Sequence, residues 1–212
     1  MNYPNKLSGA SMKKAIAGLV VAVGLTGVAQ AGDPAAGEEL ASTCVACHGE
    51  GGKEPIQPEY AKLAGLGERY LLDQLRDIQA GDRQIAEMTG VLDDMSEQDL
   101  KDLAAYYNEQ EMPEGEADPE LVDEGEALYR GGNLSSNVAA CIACHGPQGL
   151  GNEPAGYPRL SGQTAAYTAK TLRDYKSGDR VYDSQSQIMG DIASRLTDSE
   201  IEAVAEYIQG LH

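Results

Sequence analysis

The sequence contains no phenylalanine and no tryptophan, and only three histidines among its 212 residues. Without the two bulkiest apolar side chains, small domains build thin cores and are usually stapled by a disulfide, a metal or another large group. Basic residues are scarce as well: 16 Lys and Arg stand against 34 Asp and Glu, a net charge of −18. Such a surface repels phosphate backbones and excludes nucleic-acid binding. It favours long-range attraction to a basic protein surface. No apolar run is long enough to cross a bilayer; Ala15–Ala29 spans fifteen residues, against the roughly 20 that a spanning helix needs. Sustained period-2 alternation is also missing, which argues against a sheet.

What precedes and follows that apolar run explains it. Met1–Lys14 carries Lys6, Lys13 and Lys14 and no acid, and Ala29-Gln30-Ala31 ends the run with small residues. A basic start, a short apolar run and an A-x-A exit are the marks of a cleaved secretory signal. Residues 1–31 are therefore expected to be removed on export, leaving a chain that starts at Gly32; either Met1 or Met12 could initiate it. The mature chain would hold 13 basic and 34 acidic residues and no transmembrane segment, which leaves peripheral membrane association open.

The remaining sequence repeats itself. Cys44-Val45-Ala46-Cys47-His48-Gly49 recurs 97 positions later as Cys141-Ile142-Ala143-Cys144-His145-Gly146. Tyr60, Leu63, Gly65 and Tyr70 recur at the same offset as Tyr157, Leu160, Gly162 and Tyr167, and Gly81-Asp82-Arg83 as Gly178-Asp179-Arg180. Four extra residues then raise the offset to 101, pairing Met88 with Met189, Ser96 with Thr197 and Tyr106 with Tyr207. Upstream, Gly37 pairs with Gly125, and the difference is an insertion near residues 131–139. A constant offset with confined indels means two homologous halves. The acidic stretch 108–120, with Pro113 and Pro119, reads as the connection, giving a first domain at 32–112, a linker at 113–120 and a second domain at 121–212. Apolar periodicity predicts helices over 68–79 and 165–176, ended by Gly81 and Gly178, and over 97–107 and 198–209, opened by capping-box sequences at Ser96 and Thr197. Of the two boxes, the one with Glu200 fits better. Gly37 with Tyr106, and Gly125 with Tyr207, suggest helix-crossing contacts.

The duplicated C-x-x-C-H carries the chemistry. Cys44/Cys47/His48 and Cys141/Cys144/His145 match the attachment motif for covalent haem c: two thiols join the porphyrin and the adjacent histidine ligates its iron. Zinc ribbons space their cysteine pairs by roughly 15–20 residues, whereas 93 residues lie between Cys47 and Cys141. Disulfides would leave the histidines unexplained, and a thioredoxin-like pair needs a βαβ setting that the pattern lacks. Two covalently bound haems are expected. His48 and His145 being proximal, only His212 is left, so two bis-histidine irons are impossible within the chain. Methionine is the natural sixth ligand. Met88 and Met189 correspond between halves, whereas Met95 aligns with Leu196 and Met112 lies by the linker; Met88 and Met189 are the expected distal ligands, with Met95 as the alternative in the first half. His/Met ligation raises the potential relative to bis-histidine ligation and leaves no open site for a substrate, so a carrier is expected rather than an enzyme. A carbonyl near Pro158, or near Ala61 in the first copy, could accept the histidine Nδ1 proton. Arg83 and Arg180 read either as propionate partners or as exposed arginines.

The paired CxACHG motifs, the Y-P-x-L-x-G-Q stretch at Tyr157–Gln163, the Gly-Asp-Arg before each methionine and the terminal helices together resemble the cytochrome c4 family over the whole mature chain. The first half departs from the pattern at Ala61 and Leu66. The resemblance implies an all-α protein of two tandem class I cytochrome c domains with their haems close together. It also implies a periplasmic role between a cytochrome bc complex and a terminal oxidase; a dehydrogenase is the other donor expected. Competing readings are the haem subunit of a flavocytochrome c sulfide dehydrogenase-like complex and, less well fitted by the chain length, a two-haem peroxidase. The first half carries 18 acidic and 6 basic residues and the second 12 and 7, so the first haem is expected to have the lower potential.

Overall fold

The computed structural model describes Met1 and residues 31–212; residues 2–30, which hold the expected signal, lie outside the described residues. The first half contains α1 (Pro34–Leu40), α2 (Val45–His48), α3 (Glu68–Ala80) and α4 (Glu97–Glu109). The second contains α5 (Val122–Gly131), α6 (Ile142–His145), α7 (Ala165–Ser177), α8 (Ser184–Ala193) and α9 (Asp198–Gly210). Among the described residues β-pairing is limited to two isolated bridges, so the fold is all-α as expected, and no helix there is long and apolar enough to cross a membrane.

Local signals set the helix ends. Asp33 caps α1, accepting from Ala35 N–H, with Pro34 just inside the helix. Gly81 and Gly178 stop α3 and α7 in the left-handed region, at φ 80° and 90°, where a Cβ would be strained. Both capping boxes close: Ser96 with Asp99 on α4, and Thr197 with Glu200 on α9. The shorter Asp99 thus performs the same reciprocal bonding as Glu200.

In each half the first helix crosses the last at a glycine. A Cβ on Gly37 would lie 2.1 Å from the Asp102 carbonyl oxygen and 2.7 Å from Tyr106 Cβ. A Cβ on Gly125 would lie 2.1 Å from Ala203 O and 2.6 Å from Tyr207 Cβ. Backbones meet there with nothing between them, as the paired Gly and Tyr positions suggested. The cores are built on these crossings: Leu103, Tyr106 and Tyr107 with Leu71 in one half, and Ile201, Val204 and Tyr207 with Leu128 and Tyr129 in the other.

The two indels have structural identities that the pattern alone did not reveal. The insertion at 131–139 is a hairpin-like loop, with Asn133 bridged to Val138 and Asn137 at φ 57°. It places Val138 in the second core and leaves Leu134 exposed. The four extra residues turn the single 3-10 turn at Ala86–Met88 into the full helix α8, started by an Asp183/Ser186 capping box. Residues 113–120 lie along α9, where Gln209 Nε2 donates to Glu116 O at 2.6 Å and Asp118 N–H donates to the Glu206 carboxylate at 3.1 Å.

Candidate functional site

Each C-x-x-C-H forms one helical turn. His48 N–H bonds to Cys44 O at 2.9 Å, and His145 N–H to Cys141 O at 3.0 Å. This closure sets the two cysteines of each motif about one turn apart on one face, with the histidine following the second. None of the four cysteines is paired in a disulfide. Beyond the turn the chain reverses at Gly49 and Gly146, φ 75° and 80°.

The histidines are oriented as the spacing suggested. His48 Nδ1 lies 2.8 Å from Ala61 O, and His145 Nδ1 lies 2.9 Å from Pro158 O. A carbonyl can only accept, so each Nδ1 carries the proton and each Nε2 is left with its lone pair for a metal. Burial lowers both imidazoles from their ordinary range, opposed in part by these hydrogen bonds. The neutral, ligating form is thereby favoured. Burial also pushes the Cys141 thiol up to about 11, the mark of an apolar wall around it.

That wall encloses a cavity of about 400 Å³, bordered by Cys141, Cys144, His145, Met189 and Arg180. Part of its lining comes from the other half, through Leu66, Tyr70 and Gln74. Arg180 is 3% exposed, and its Nε is a buried donor with no hydrogen-bond partner. Two thiols on a turn, a neutral imidazole, an apolar enclosure and an unanswered guanidinium N–H fit a haem c, whose propionate would satisfy that donor.

The methionines fall in different settings. Met189 lies on α8, borders this cavity and packs on the second core. Met88 ends the 3-10 turn Ala86–Met88 and is half-buried. Met95 packs on the first core, and its carbonyl accepts from Gln79 Nε2 at 2.8 Å. At the matching place in the second half, Leu196 is buried and its carbonyl accepts from Lys176 Nζ at 2.8 Å. Met95 therefore occupies the position of a core leucine. Met112, 3% exposed, likewise fills the first core.

Between the halves the repeated residues trade partners. Arg83 donates to Tyr167 OH at 3.3 Å, and Arg180 donates to Tyr70 OH at 2.8 Å. Within their own halves Arg83 bonds Gln74 Oε1 at 2.9 Å and Arg180 bonds Thr171 Oγ1 at 3.2 Å. Arg180 reaches Gln74 Oε1 as well, at 2.9 Å. Burial alone would raise the Tyr167 phenol; the Arg180 and Arg83 guanidiniums outweigh it and hold the group below its ordinary range. The exposed-arginine alternative fails for Arg180. Gln74 is the member of this cluster that the repeat could not single out, because its counterpart is Thr171.

Comparison with known proteins agrees with this geometry. The cytochrome c family model matches residues 34–110 and again 122–212. The chain is 51% identical over 211 residues to cytochrome c4 of Azotobacter vinelandii, covering 95% of this chain and all of that protein. It is 38% identical over 181 residues to the thiosulfate dehydrogenase electron acceptor of Thiomonas intermedia, covering 82% of this chain and 81% of that one. The crystal structure of reduced recombinant cytochrome c4 from Pseudomonas stutzeri superposes with a TM-score of 0.83 at 49% identity, covering 86% of this chain and all of that one. The chain belongs to the cytochrome c family as a two-domain member of the cytochrome c4 group, an electron-transfer protein with a covalently bound haem c in each half.

Proposed function

We propose that this protein is a periplasmic shuttle that accepts electrons at one half and releases them from the other. Its domains are 32–112 and 121–212, and His48 with Met88, and His145 with Met189, would hold the two haem irons. The observation that carries the reading is the shared cavity wall: Leu66, Tyr70 and Gln74 of the first half border the same space as His145 and Met189 of the second. When bound, the two haems supply two one-electron couples. The chain's part is to hold them. Nδ1 bonds orient both imidazoles, the apolar wall around His145 excludes water, and the unpartnered Nε of Arg180 would donate to a propionate.

The donor is a cytochrome bc complex or a dehydrogenase, and the acceptor a terminal oxidase. A dehydrogenase donor is supported by the relative named as a thiosulfate dehydrogenase electron acceptor. With 13 basic against 34 acidic residues from Gly32 on, the productive surface on either partner is basic. Reduction kinetics with purified donor membranes test this. The bimolecular rate should fall steeply between low and physiological ionic strength, as exposed charges are screened within roughly 8–10 Å. A rate that is flat or rises with salt would overturn the proposed partner surface.

A further inference from the structure

The two histidine-orienting carbonyls each belong to a peptide group whose N–H points into the other half. Ala61 C=O accepts from His48 Nδ1 at 2.8 Å, and the N–H of the same planar peptide, that of Lys62, donates to Gln163 Oε1 at 3.0 Å. Gln163 Nε2 donates back to Lys62 O at 2.9 Å, which fixes the orientation of the amide, since a flipped amide would set donor against donor. In the mirrored place, Pro158 C=O accepts from His145 Nδ1, and the same peptide's N–H, that of Arg159, donates to Leu66 O at 3.3 Å. Lys62 and Arg159 are repeat equivalents, and so are Leu66 and Gln163. The contact is one pseudo-symmetric pair, built strongly in one direction and weakly in the other.

The asymmetry matches the loop that each side must hold. In the second half Pro158 pre-sets its own φ, and a single long backbone bond suffices beside it. In the first half alanine replaces that proline, and there the partner half supplies a buried side chain, Gln163, 4% exposed, bonded to both polar groups of Lys62. Lys62 Nζ adds a bond to Gly162 O at 2.8 Å. A bond to the N–H of a peptide polarises its carbonyl and makes it a better acceptor. A better acceptor on Nδ1 makes the imidazole a stronger donor to its metal, which favours ferric over ferrous iron.

We infer that Gln163 is a positioning residue for His48, through which the second half sets the orientation and basicity of the first half's proximal ligand. The inference rests on the reading of His48 as iron ligand and goes beyond it, in assigning part of that ligand's environment to the opposite domain. Ala61 and Leu66, where the first half departs from the repeat, then form a compensated pair with Pro158 and Gln163.

The test uses the two-haem protein with Gln163→Leu, which installs the first half's residue, alone and combined with Ala61→Pro, which installs the second half's. NMR of the ferrous protein reads exchange of the His48 Nδ1 proton, and a redox titration reads each haem. In Gln163→Leu that proton should exchange about tenfold faster, the order of one ordinary hydrogen bond. The ferrous-to-ferric ratio at the His48 site, at fixed potential, should rise about threefold, a part of that same interaction. The His145 site should stay where it was, and Ala61→Pro, by holding the loop, should reverse the change in exchange but not the change in ratio, because the Lys62 N–H still lacks its acceptor. Unchanged exchange at His48, equal shifts at both haems, or no rescue of the exchange rate by Ala61→Pro would each overturn the inference. If His48 were not the ligand, its ring protons would lack the paramagnetic shift in the unaltered ferric protein, a failure visible before any variant is made.

Discussion

Replacing Gly125 by alanine pits two effects of opposite sign against each other. Gly125 lies inside α5, where alanine is the better helix former by about 0.5–1 kcal/mol. Helix propensity alone would therefore make Gly125→Ala more stable than the parent. The crossing with α9 says otherwise, because the new Cβ would sit 2.1 Å from Ala203 O and 2.6 Å from Tyr207 Cβ. Neither atom belongs to the free end of a side chain, so relief requires the helices to move apart. Overpacking of this kind costs about 1–3 kcal/mol, and a backbone carbonyl at the contact places it at the upper end. Less the propensity gain, the net loss is about 2 kcal/mol. At about 2 kcal/mol per molar in urea, the midpoint for the second half, followed by far-ultraviolet circular dichroism, should fall by about 1 M. Gly131 ends the same helix with open space around its Cβ position, and Gly131→Ala should leave the midpoint within about 0.3 M. Because Tyr129 OH on α5 donates to Gly146 O at 2.7 Å, displacing α5 should also disturb the spectrum of the His145 haem and not that of the His48 haem. A midpoint equal to or above the parent's for Gly125→Ala would refute the close-packed crossing.

The other expectations concern ligation, potentials and pH. Met189→Ala should abolish low-spin ligation in the second half only and Met88→Ala in the first half only, while Met95→Ala leaves both spectra low-spin and destabilises by about 2–4 kcal/mol as a core truncation; loss of the first low-spin signal in Met95→Ala would reassign the ligand. The greater acidity of residues 32–112, 18 acidic to 6 basic residues, should give the His48 haem the lower potential, because negative surroundings favour ferric iron; titration beside single-haem variants reads the order, and a lower His145 potential would contradict it. Glu200, held below its ordinary range first by the Thr197 N–H and then by Asn133, contributes stability present above its unfolded pKa and lost as pH falls through the folded one. Glutamine can keep the capping bond, so Glu200→Gln should cost about 0.3–1 kcal/mol at neutral pH, the usual worth of a negative charge at a helix N-terminus. Denaturation series at pH 7 and pH 3 should show that cost shrinking in acid, and a cost unchanged at pH 3 would exclude the carboxylate as its source.

Much of this protein follows from local chemistry that a linear reading can see. Cys44, Cys47 and His48, and their copies, need only one helical turn to present two thiols and an imidazole, so their use is written in their spacing. Gly81, Gly178, Ser96 and Thr197 end or begin helices through bonds no more than a few residues long, and the paired glycines and tyrosines announced the crossings because both copies must solve the same packing problem. The tertiary structure alone decided matters that depend on residues about a hundred positions apart. Those include the pairing of Arg83 with Tyr167 and of Arg180 with Tyr70, and the entry of Gln74 into that cluster. They also include the pairing of Gln163 with the peptide that orients His48. A repeat shows which residues are equivalent, but a pseudo-two-fold interface couples each position to a non-equivalent one, and that coupling comes into being only when the halves meet.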